Sequence, residues 1–404
     1  MTRYLASRMS SVQPSPTIEL ALKLQQMKAE GHDIISLGQG ELDFATPGHI
    51  AEAGIAAIRN GQTKYTASSG TPELKAAIAH KFLRDNDLQF SAAQIIAGNG
   101  AKQLVFNALL ATLDPGDEVV IPAPYWVSYP DMVRLAGGTP IIAPTRAQDG
   151  WKLTPETLSE ALSPRTKWVL LNSPNNPTGA LYSKADIAAL CDVLADHHTL
   201  IMADDIYEMI VHEGSFATPA KASPQLADRI LTVNGVSKGY AMTGWRLGFA
   251  AGPEWLVRAM DILQSQSTSN ASAISQAATV AALMQTPDFL PERNARLKAR
   301  RDMVIAAIAD MPGMTAPTPP GGFYVFVDCS GLFGARTPRG TVLESDIDVA
   351  DYLLVEGRIG VVPGTAFGTP GHLRLAYALD DNRLRTAMHR STDALRKLAM
   401  PVAA

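Results

Sequence analysis

The chain has 404 residues, of which 46% are hydrophobic, and this is enough to bury a large core and to build two domains rather than one. A formal net charge of −4 gives no excess of positive charge for nucleic acid or an anionic membrane, and two cysteines are too few for a disulfide framework or a metal cluster. Neither a signal-peptide core nor a membrane-spanning apolar run is evident, so the sequence predicts a soluble cytoplasmic protein.

The first part of the chain predicts helices joined by loops. Apolar residues recur with helical spacing over 17–31, and a second helix is expected over 72–86, where a proline stands at the first position. A short strand at 34–37 runs into segment 38–44, whose glycines allow a backbone to approach a ligand closely. An ordinary turn is the alternative for that segment.

From about Gln94 onward, short apolar strands alternate with helices. The strand at 95–97 leads into a turn with Gly100, Ala101 and Lys102, and then into an apolar helix. A strand, a glycine turn and a helix offer backbone N–H groups and a helix dipole to a phosphate. The glycine spacing fits neither common nucleotide-binding fingerprint, and many α/β turns look similar.

The next two strands each end in a segment suited to ligand binding. The strand at 118–121 leads to Trp126, near the carboxyl end of a strand, where open α/β sheets bind ligands. Trp126 can be a core residue, or it can stack on a flat ring. The strand at 167–171 leads into loop 172–179, whose prolines fix the backbone while Asn176 and its neighbours present side-chain amides.

Two acidic residues follow the strand at 200–203. Asp204 and Asp205 would repel each other and would be costly to bury unless one of them has a cationic partner. A protonated pyridine nitrogen would serve as that partner, with Tyr207 nearby as a hydroxyl donor. A solvated acidic loop is the alternative.

A lysine and an arginine follow the strand at 230–233. Lys238 comes directly after Ser237 in a glycine-rich, mostly apolar loop, and Arg246 begins the next apolar run. A loop lysine is ordinarily a solvated surface charge. Burial, however, lowers the pKa of an amine and so prepares it for condensation with an aldehyde.

The last part of the chain predicts further helices and a smaller α+β unit. The expected elements are helices near 254–282 and 289–311, a strand at 323–327, a helix at 346–357, strands at 358–362 and 372–377, and a helix at 380–400. Arg374 alternates with apolar neighbours, and an inward arginine on a strand is costly unless an anion meets it. A ligand carboxylate is one such anion, and a structural ion pair is the alternative.

Repeated strand–loop–helix units with polar groups at the strand ends predict the fold class. We expect an α/β protein with a large domain, built on a mainly parallel, mixed sheet flanked by helices, and a smaller α+β domain. The predicted division is an arm and part of the small domain at 1–46, the large domain at 47–290, and the rest of the small domain at 291–404.

In combination, these residues indicate a pyridoxal phosphate site: a lysine, an acid for a ring nitrogen, a phosphate turn and an arginine for a carboxylate. The chain resembles the fold-type I, class I aminotransferases over nearly its whole length, most closely the bacterial aspartate aminotransferase branch. The resemblance rests on the order and spacing of Pro-Tyr-Trp-Val-Ser-Tyr-Pro at 124–130, loop 172–179, Ser237-Lys238 with Arg246, and Arg374.

The resemblance implies a role for each site residue. Lys238 would bind the cofactor pyridoxal 5′-phosphate covalently and later move a proton, with Asp204 at the pyridine nitrogen. Tyr207 and Asn176 would bond the ring oxygen. The phosphate would be held by the backbone of Gly100, Ala101 and Lys102 and by Ser237 and Arg246, joined by Tyr65 from a second subunit. The substrate would be bound by Gly38, Trp126, Asn176 and Arg374, and Trp126 would also stack on the cofactor ring.

The implied activity is transfer of an amino group between an L-amino acid, aspartate or glutamate, and a 2-oxo acid such as 2-oxoglutarate, by a homodimer with sites at its interface. Lys102 matches a lysine near the distal acid in this branch, whereas Gln13 stands where some relatives carry another lysine. Leu42 replaces the proline of the Gly-Glu-Pro-Asp-Phe loop and is expected to loosen it. Aminotransferases of aromatic, alanine or other apolar substrates, and a lyase on the same fold, are the alternatives.

Overall fold

The structure is a computed structural model that describes residues 4–400. The helices are Pro16–Ala29 (α1), Gly48–Arg59 (α2), Pro72–Asn86 (α3), Ala101–Thr112 (α4), Tyr129–Leu135 (α5), Pro155–Ala161 (α6), Lys184–Leu194 (α7), Pro219–Ala222 (α8), Glu254–Ser267 (α9), Ala273–Met284 (α10), Leu290–Ala309 (α11), Asp346–Tyr352 (α12) and Asp381–Leu395 (α13). The strands are Ile35–Ser36 (β1), Ile95–Gly98 (β2), Glu118–Ala123 (β3), Thr139–Pro144 (β4), Thr166–Asn172 (β5), Leu200–Asp204 (β6), Ile230–Gly235 (β7), Gly248–Ala251 (β8), Tyr324–Asp328 (β9), Ile359–Gly360 (β10), Val362–Pro363 (β11) and His372–Ala376 (β12).

A seven-stranded sheet forms the centre of the molecule, in the order β2-β8-β7-β6-β5-β3-β4. The pairs from β7 to β4 are parallel, whereas β8 runs antiparallel to both β2 and β7. The expected mainly parallel, mixed sheet is therefore confirmed. Asn172 at the end of β5 pairs in register with Asp204 at the end of β6, so polar strand ends meet at one edge.

Helices cover both faces of this sheet because successive strand residues point to opposite sides. Val119 and Trp168 face α4 and α9, whereas Val120 and Val169 face α6 and α7. Burial of each such large apolar side chain stabilises the fold by about 1.5–3 kcal/mol. These packed layers hold the strand ends, and the loops that leave them, in fixed positions.

A second, smaller core contains a three-stranded antiparallel sheet, in the order β11-β12-β9. Helices α11 and α13 pack against it, and Ile35, Leu37 and Leu42 join it from the N-terminal part of the chain. Within this sheet Arg374 of β12 pairs with Phe326 of β9. The predicted domain boundaries at residues 46 and 290 stay predictions.

Several predicted elements differ from those observed. The helical stretch at 254–282 is two helices, α9 and α10, separated near Ser269, which has a φ of 60°. The helix at 346–357 is α12 followed by a π-helical turn at Leu353–Gly357. The strand at 358–362 is two short strands, β10 and β11, in different sheets, and β4 was not predicted because it is an edge strand with only Ala143 buried.

No helix within residues 4–400 combines the length and the apolar character that a membrane crossing requires.

Candidate active site

A cavity of about 440 Å³ opens where the carboxyl ends of the central strands face the smaller core. It brings together most of the residues that the sequence singled out: Gly38, Ala101, Lys102, Trp126, Asn176, Asp204, Tyr207, Ser237, Lys238, Arg246 and Arg374. Gly100 lies directly beside it, against Arg246. Tyr65 is not part of its lining.

Lys238 lies in the middle of the cavity, in the loop after β7. Its Nζ donates to the carbonyl oxygen of Gly40 and lies 5.7 Å from the centre of the Tyr207 ring. Burial lowers the pKa of the Lys238 ammonium to about 8, and the positive charges of Arg374 and Arg246 act in the same direction. Lys238 is therefore an amine that loses its proton more readily than a solvated lysine does.

Asp204 ends β6 and lies at the base of the cavity, with only 6% of its surface exposed. Tyr129 donates to its Oδ2 at 2.6 Å. Burial raises the pKa of this carboxyl group, and the bond from Tyr129 opposes that effect. A cation placed beside Asp204 would keep it ionised, as a protonated ring nitrogen does.

Asp205 does not line the cavity, although it is buried as well. Burial raises its pKa well above the ordinary value, and the charge of Glu208 acts in the same direction. Of the two acids, Asp204 alone faces the site. The alternative of a solvated acidic loop is wrong, because both side chains are enclosed.

Trp126 lies above the cavity, and its ring meets Tyr129 edge-on, with centroids 5.1 Å apart. The Nζ of Lys102 lies 4.7 Å from the centre of the Trp126 ring and donates to the Ser128 hydroxyl at 3.1 Å. Burial lowers the pKa of Lys102, and the nearby charge of Arg246 adds to this. A negative group bound between these two cations would relieve their repulsion.

Arg374 projects from β12 into the cavity and is only 2% exposed. Its Nη1 donates to Oδ1 of Asn176 at 2.9 Å, and its Nη2 donates to the Gly38 carbonyl oxygen at 2.6 Å. The rings of Tyr324 and Phe367 lie 4.6 and 5.0 Å from the guanidinium carbon. Its Nε is buried and has no hydrogen-bond partner among residues 4–400.

All of these Arg374 partners are neutral. Within residues 4–400, no carboxylate lies within ion-pair distance of Arg374. A structural ion pair, the alternative interpretation of the sequence, is therefore wrong for the described part of the chain. A buried guanidinium without a counter-charge is suited to an anionic ligand.

The opposite end of the cavity is a positively charged turn at the start of α4. Gly100 has a φ of 87°, and a Cβ at this position would lie 2.5 Å from Nη2 of Arg246. The absence of a side chain thus lets the guanidinium lie directly beside the N-terminus of the helix. Two positive groups in contact favour an anion, and a phosphate fits this arrangement.

Segment 38–44 passes between the two cores and carries the Gly38 and Gly40 carbonyl groups described above. Leu42 is buried in the smaller core. Asp43 accepts two bonds of 2.8 Å from Arg300, whose Nε donates to Asp381 at 2.6 Å. The Leu42 side chain anchors the loop in this core. The expectation that leucine in place of proline loosens the loop stays a prediction.

Tyr65 lies outside the cavity and is 91% exposed. It lines a separate recess of about 510 Å³ with Thr71 and Gln276. Its role in a neighbouring subunit's site stays a prediction.

Other cavity residues were not assigned a role from the sequence, among them Tyr129, Asn172 and Tyr324. Asn172 donates to the backbone oxygen of Asp204 at 2.8 Å, and its position at the end of β5 was the available signal. Tyr129 belongs to the motif at 124–130, whereas Tyr324 lies in a continuous apolar and aromatic run at 323–327 that does not distinguish it from its neighbours.

The donor set of this cavity fits pyridoxal 5′-phosphate. An amine of lowered pKa lies between a buried acid, suited to a ring nitrogen, and a cationic helix N-terminus, suited to a phosphate. Tyr207 and Asn176 both line the cavity and offer polar groups for a ring oxygen.

Comparison with known proteins agrees with this chemistry. The family model described as aminotransferase class I and II matches residues 32–390. The chain is 48% identical to an aspartate aminotransferase of Rhizobium meliloti over 98% of its own length and 97% of the relative's. It is 50% identical to an aspartate/prephenate aminotransferase of Cereibacter sphaeroides, over 96% and 97% of the two chains.

Solved structures show the same relationship. The crystal structure of the aspartate aminotransferase from Rhizobium meliloti superposes with a TM-score of 0.95 at 48% identity, covering 98% of this chain and 99% of the other. The Thermus thermophilus aspartate aminotransferase, solved with maleate, gives a TM-score of 0.91 at 39% identity, covering 97% and 100%. The chain therefore belongs to the class I and II aminotransferase family, within its bacterial aspartate aminotransferase branch, and is a pyridoxal-phosphate-dependent enzyme.

Proposed function

We propose that this aminotransferase acts on dicarboxylic substrates, moving an amino group between aspartate or glutamate and a 2-oxo acid such as 2-oxoglutarate. The observation that carries the proposal is Arg374, a buried guanidinium with neutral partners that faces the same cavity as Lys102. Two cations in one cavity suit a substrate with two carboxylates. The relatives named as aspartate aminotransferases support it, and so does the Thermus thermophilus relative, which was solved with maleate, a dicarboxylate.

The cofactor, when bound, supplies an aldehyde that condenses with an amine and a ring that accepts electrons. The residues proposed to hold it are Gly100, Ala101 and Lys102 through their backbone, and Trp126, Asn176, Asp204, Tyr207, Ser237, Lys238 and Arg246, with Tyr65 from a second subunit.

Lys238 is the residue proposed to move the proton at the substrate Cα. Its pKa of about 8 leaves part of the population as neutral amine near neutral pH, so it can accept that proton and return it in the reverse half-reaction. Asp204, held by Tyr129, is the residue proposed to keep the ring nitrogen charged. A charged ring nitrogen favours electron withdrawal from Cα.

Arg374 is proposed to bind the substrate α-carboxylate together with Gly38 and Asn176. Each charge-assisted bond contributes roughly 1.5–3 kcal/mol. Because the guanidinium is already desolvated and held by two fixed acceptors, little reorganisation accompanies binding. A carboxylate held in this way is poorly placed to be lost as CO₂, which argues against a decarboxylase.

A second candidate acceptor is prephenate. It is favoured by one observation, the 50% identical relative named as an aspartate/prephenate aminotransferase. Prephenate carries a 2-oxo acid and a second carboxylate, so the same two cations would serve it.

We also propose that the enzyme is a cytoplasmic homodimer. The exposed Tyr65 supports a second subunit, because its phenol has no partner within residues 4–400. Cys191 and Cys329 are buried and unpaired, as suits a reducing compartment. Sedimentation of the loaded enzyme at two concentrations tests the dimer.

The decisive experiment is a single-turnover absorbance titration of the loaded enzyme with aspartate, glutamate, alanine and phenylalanine added separately. We expect the two acidic donors to convert the cofactor to its amine form, and oxaloacetate, 2-oxoglutarate or prephenate to restore it. Conversion by apolar donors alone would contradict the proposed substrate class.

Two variants accompany the titration. Lys238→Ala should abolish the conversion and the covalent attachment of the cofactor, whereas Lys298→Ala, which removes an exposed lysine paired with Asp302, should behave as wild type. Retained covalent attachment in Lys238→Ala would overturn the assignment of the lysine.

A further inference from the structure

Tyr324, the first residue of β9, touches both halves of the proposed site. It is fully buried and lines the cavity. Its hydroxyl oxygen lies 3.0 Å from that of Tyr207, the only hydrogen-bond partner it has within residues 4–400. Its ring lies 4.6 Å from the guanidinium carbon of Arg374. One side chain thus contacts both the residue proposed for the cofactor oxygen and the residue proposed for the substrate carboxylate.

The sheet register explains this double contact. Arg374 pairs with Phe326 and Ala376 pairs with Tyr324, so Tyr324 and Arg374 lie diagonally on the same face of two neighbouring strands. The aromatic face is therefore presented to the guanidinium, where the ring quadrupole attracts a cation. The hydroxyl at the far end of the ring reaches across to Tyr207, on the loop that leaves the large sheet.

The direction of the bond between the two tyrosines follows from proton counting. Burial raises the pKa of both phenols, so each keeps one proton at neutral pH. A phenol donates one hydrogen bond. If Tyr207 donates to the cofactor oxygen, its proton is used, and the bond between the hydroxyls must then run from Tyr324 to Tyr207.

The surroundings of the Tyr324 hydroxyl allow little else. The Gly40 backbone passes so close that a Cβ there would lie 2.9 Å from the Tyr324 oxygen. Segment 38–44 therefore covers this hydroxyl and keeps it directed at Tyr207. A hydroxyl that accepts a hydrogen bond from a second hydroxyl becomes a stronger donor itself, because the bonds in such a chain polarise one another.

We propose that Tyr324 is a positioning residue with two separable effects: its hydroxyl donates to Tyr207 and strengthens the bond from Tyr207 to the cofactor ring oxygen, and its ring holds Arg374 in place for the substrate carboxylate. The inference rests on the proposed role of Tyr207. It joins recognition of the substrate and tuning of the cofactor through one side chain.

The first effect is measured by the pH midpoint of the absorbance change of the Lys238-bound cofactor, without substrate. A bond to the ring oxygen stabilises the unprotonated form and lowers the midpoint. Tyr207→Phe removes the whole bond and should raise the midpoint by about 1–2 pH units. Tyr324→Phe leaves the bond from Tyr207 in place but removes the hydroxyl that strengthens it, so the midpoint should rise by only roughly 0.1–0.7 pH unit.

The double variant sharpens this test. Because the Tyr324 hydroxyl acts through Tyr207, adding Tyr324→Phe to Tyr207→Phe should cause no further shift. Tyr377→Phe is the matched control, since Tyr377 is a buried tyrosine of the same core whose hydroxyl bonds to the Gly322 carbonyl oxygen instead. It should leave the midpoint unchanged.

Steady-state kinetics distinguish the second effect, the role of the Tyr324 ring in holding Arg374, from the role of the hydroxyl. Tyr324→Phe keeps the ring and should leave the KM for aspartate within about twofold of wild type, whereas Tyr324→Leu removes the ring and should raise it by roughly three- to thirtyfold. Circular dichroism and thermal unfolding of each variant confirm that it is folded.

The outcomes distinguish the inference from the function it rests on. An unchanged midpoint in Tyr207→Phe would reject the role proposed for Tyr207 itself. A shift in Tyr207→Phe with none, or with a decrease, in Tyr324→Phe would overturn the inferred bond direction and leave the aminotransferase site intact. Equal KM values for Tyr324→Phe and Tyr324→Leu would overturn the role of the ring.

Discussion

Arg374 and Arg246 lie at opposite ends of one cavity and illustrate two ways of preparing a guanidinium for an anion. Arg374 is buried, bonded to two neutral acceptors and flanked by two aromatic rings. Arg246 is exposed, has a φ of 53° and donates from its Nη1 to the Thr243 carbonyl oxygen of its own turn.

The difference concerns when the desolvation cost is met. For Arg374 that cost is met during folding, by the packing around β12, so a carboxylate finds the group already oriented. For Arg246 much of the desolvation cost arises when the phosphate binds, and the N-terminus of α4 also binds the phosphate. A substrate that exchanges at every turnover suits the first arrangement, and a resident cofactor suits the second.

The largest expected effect comes from Arg374→Met. Loss of two charge-assisted bonds should lower kcat/KM for aspartate by roughly 10²–10⁴-fold while leaving cofactor affinity unchanged. Steady-state kinetics and a cofactor titration measure the two quantities. Arg374→Lys keeps the charge but loses the planar pair of guanidinium donors, so its kcat/KM for aspartate should lie between those of wild type and Arg374→Met. An equal loss of cofactor affinity would contradict the separation of the two ends.

Arg246→Met should give the complementary result, with a smaller magnitude. Cofactor affinity should fall by roughly 10–10²-fold, and kcat should return towards wild type at saturating cofactor. Equilibrium dialysis with pyridoxal 5′-phosphate measures the affinity. Arg258→Met removes an exposed arginine paired with Glu254 and is the matched control. Turnover that stays low at saturation would show that Arg246 also orients the reacting groups.

Lys102→Gln tests whether the cavity holds a second carboxylate. The kcat/KM for aspartate should fall by about tenfold, because a partly solvent-exposed charge contributes less than a buried one. The value for alanine should change little, since alanine has no distal acid. If both substrates lose equally, Lys102 serves the cofactor rather than the substrate.

The smallest expected effect is on the titration of Lys238 in the cofactor-free protein. Both arginines lower its pKa, and the effect of Arg374 is the larger. Removing a neighbouring cation stabilises the ammonium form, so the midpoint of about 8 should rise in both variants, and more in Arg374→Met. The rate of attachment of pyridoxal as a function of pH reports the midpoint without involving the phosphate end. A larger rise of the Lys238 midpoint in Arg246→Met than in Arg374→Met would contradict the larger effect assigned to Arg374.

Much of the site could be predicted because of where its residues fall in the chain. Asp204, Lys238 and Asn176 follow buried strands, and the carboxyl ends of parallel strands meet at one edge of a sheet. Arg374 was identifiable because an inward arginine on an apolar strand needs an anion. Local pattern and elementary electrostatics placed the first three residues at one edge of the sheet and indicated an anion beside Arg374, whereas the roles of all four came from the family resemblance and stay predictions.

The contacts between distant segments could not be predicted in this way. Tyr129 and Asp204 are 75 residues apart, and Tyr207 and Tyr324 are 117 residues apart. The first pairing depends on how α5 packs on the large sheet, and the second on how the smaller core docks on that sheet. No local pattern reports either arrangement. The burial of Leu42 could not be predicted for the same reason, because it depends on residues of α11 and α13.

The site draws on two separate hydrophobic cores, with Lys238 and Asp204 supplied by the large sheet and Arg374 by the smaller one. Activity and cofactor retention therefore report on different parts of the fold. In a gentle urea titration, a molecule whose smaller core loosens first would still be yellow with bound cofactor after it had stopped turning over. The absorbance of the cofactor would then show whether the large core is still folded, and turnover would show whether both cores are still folded.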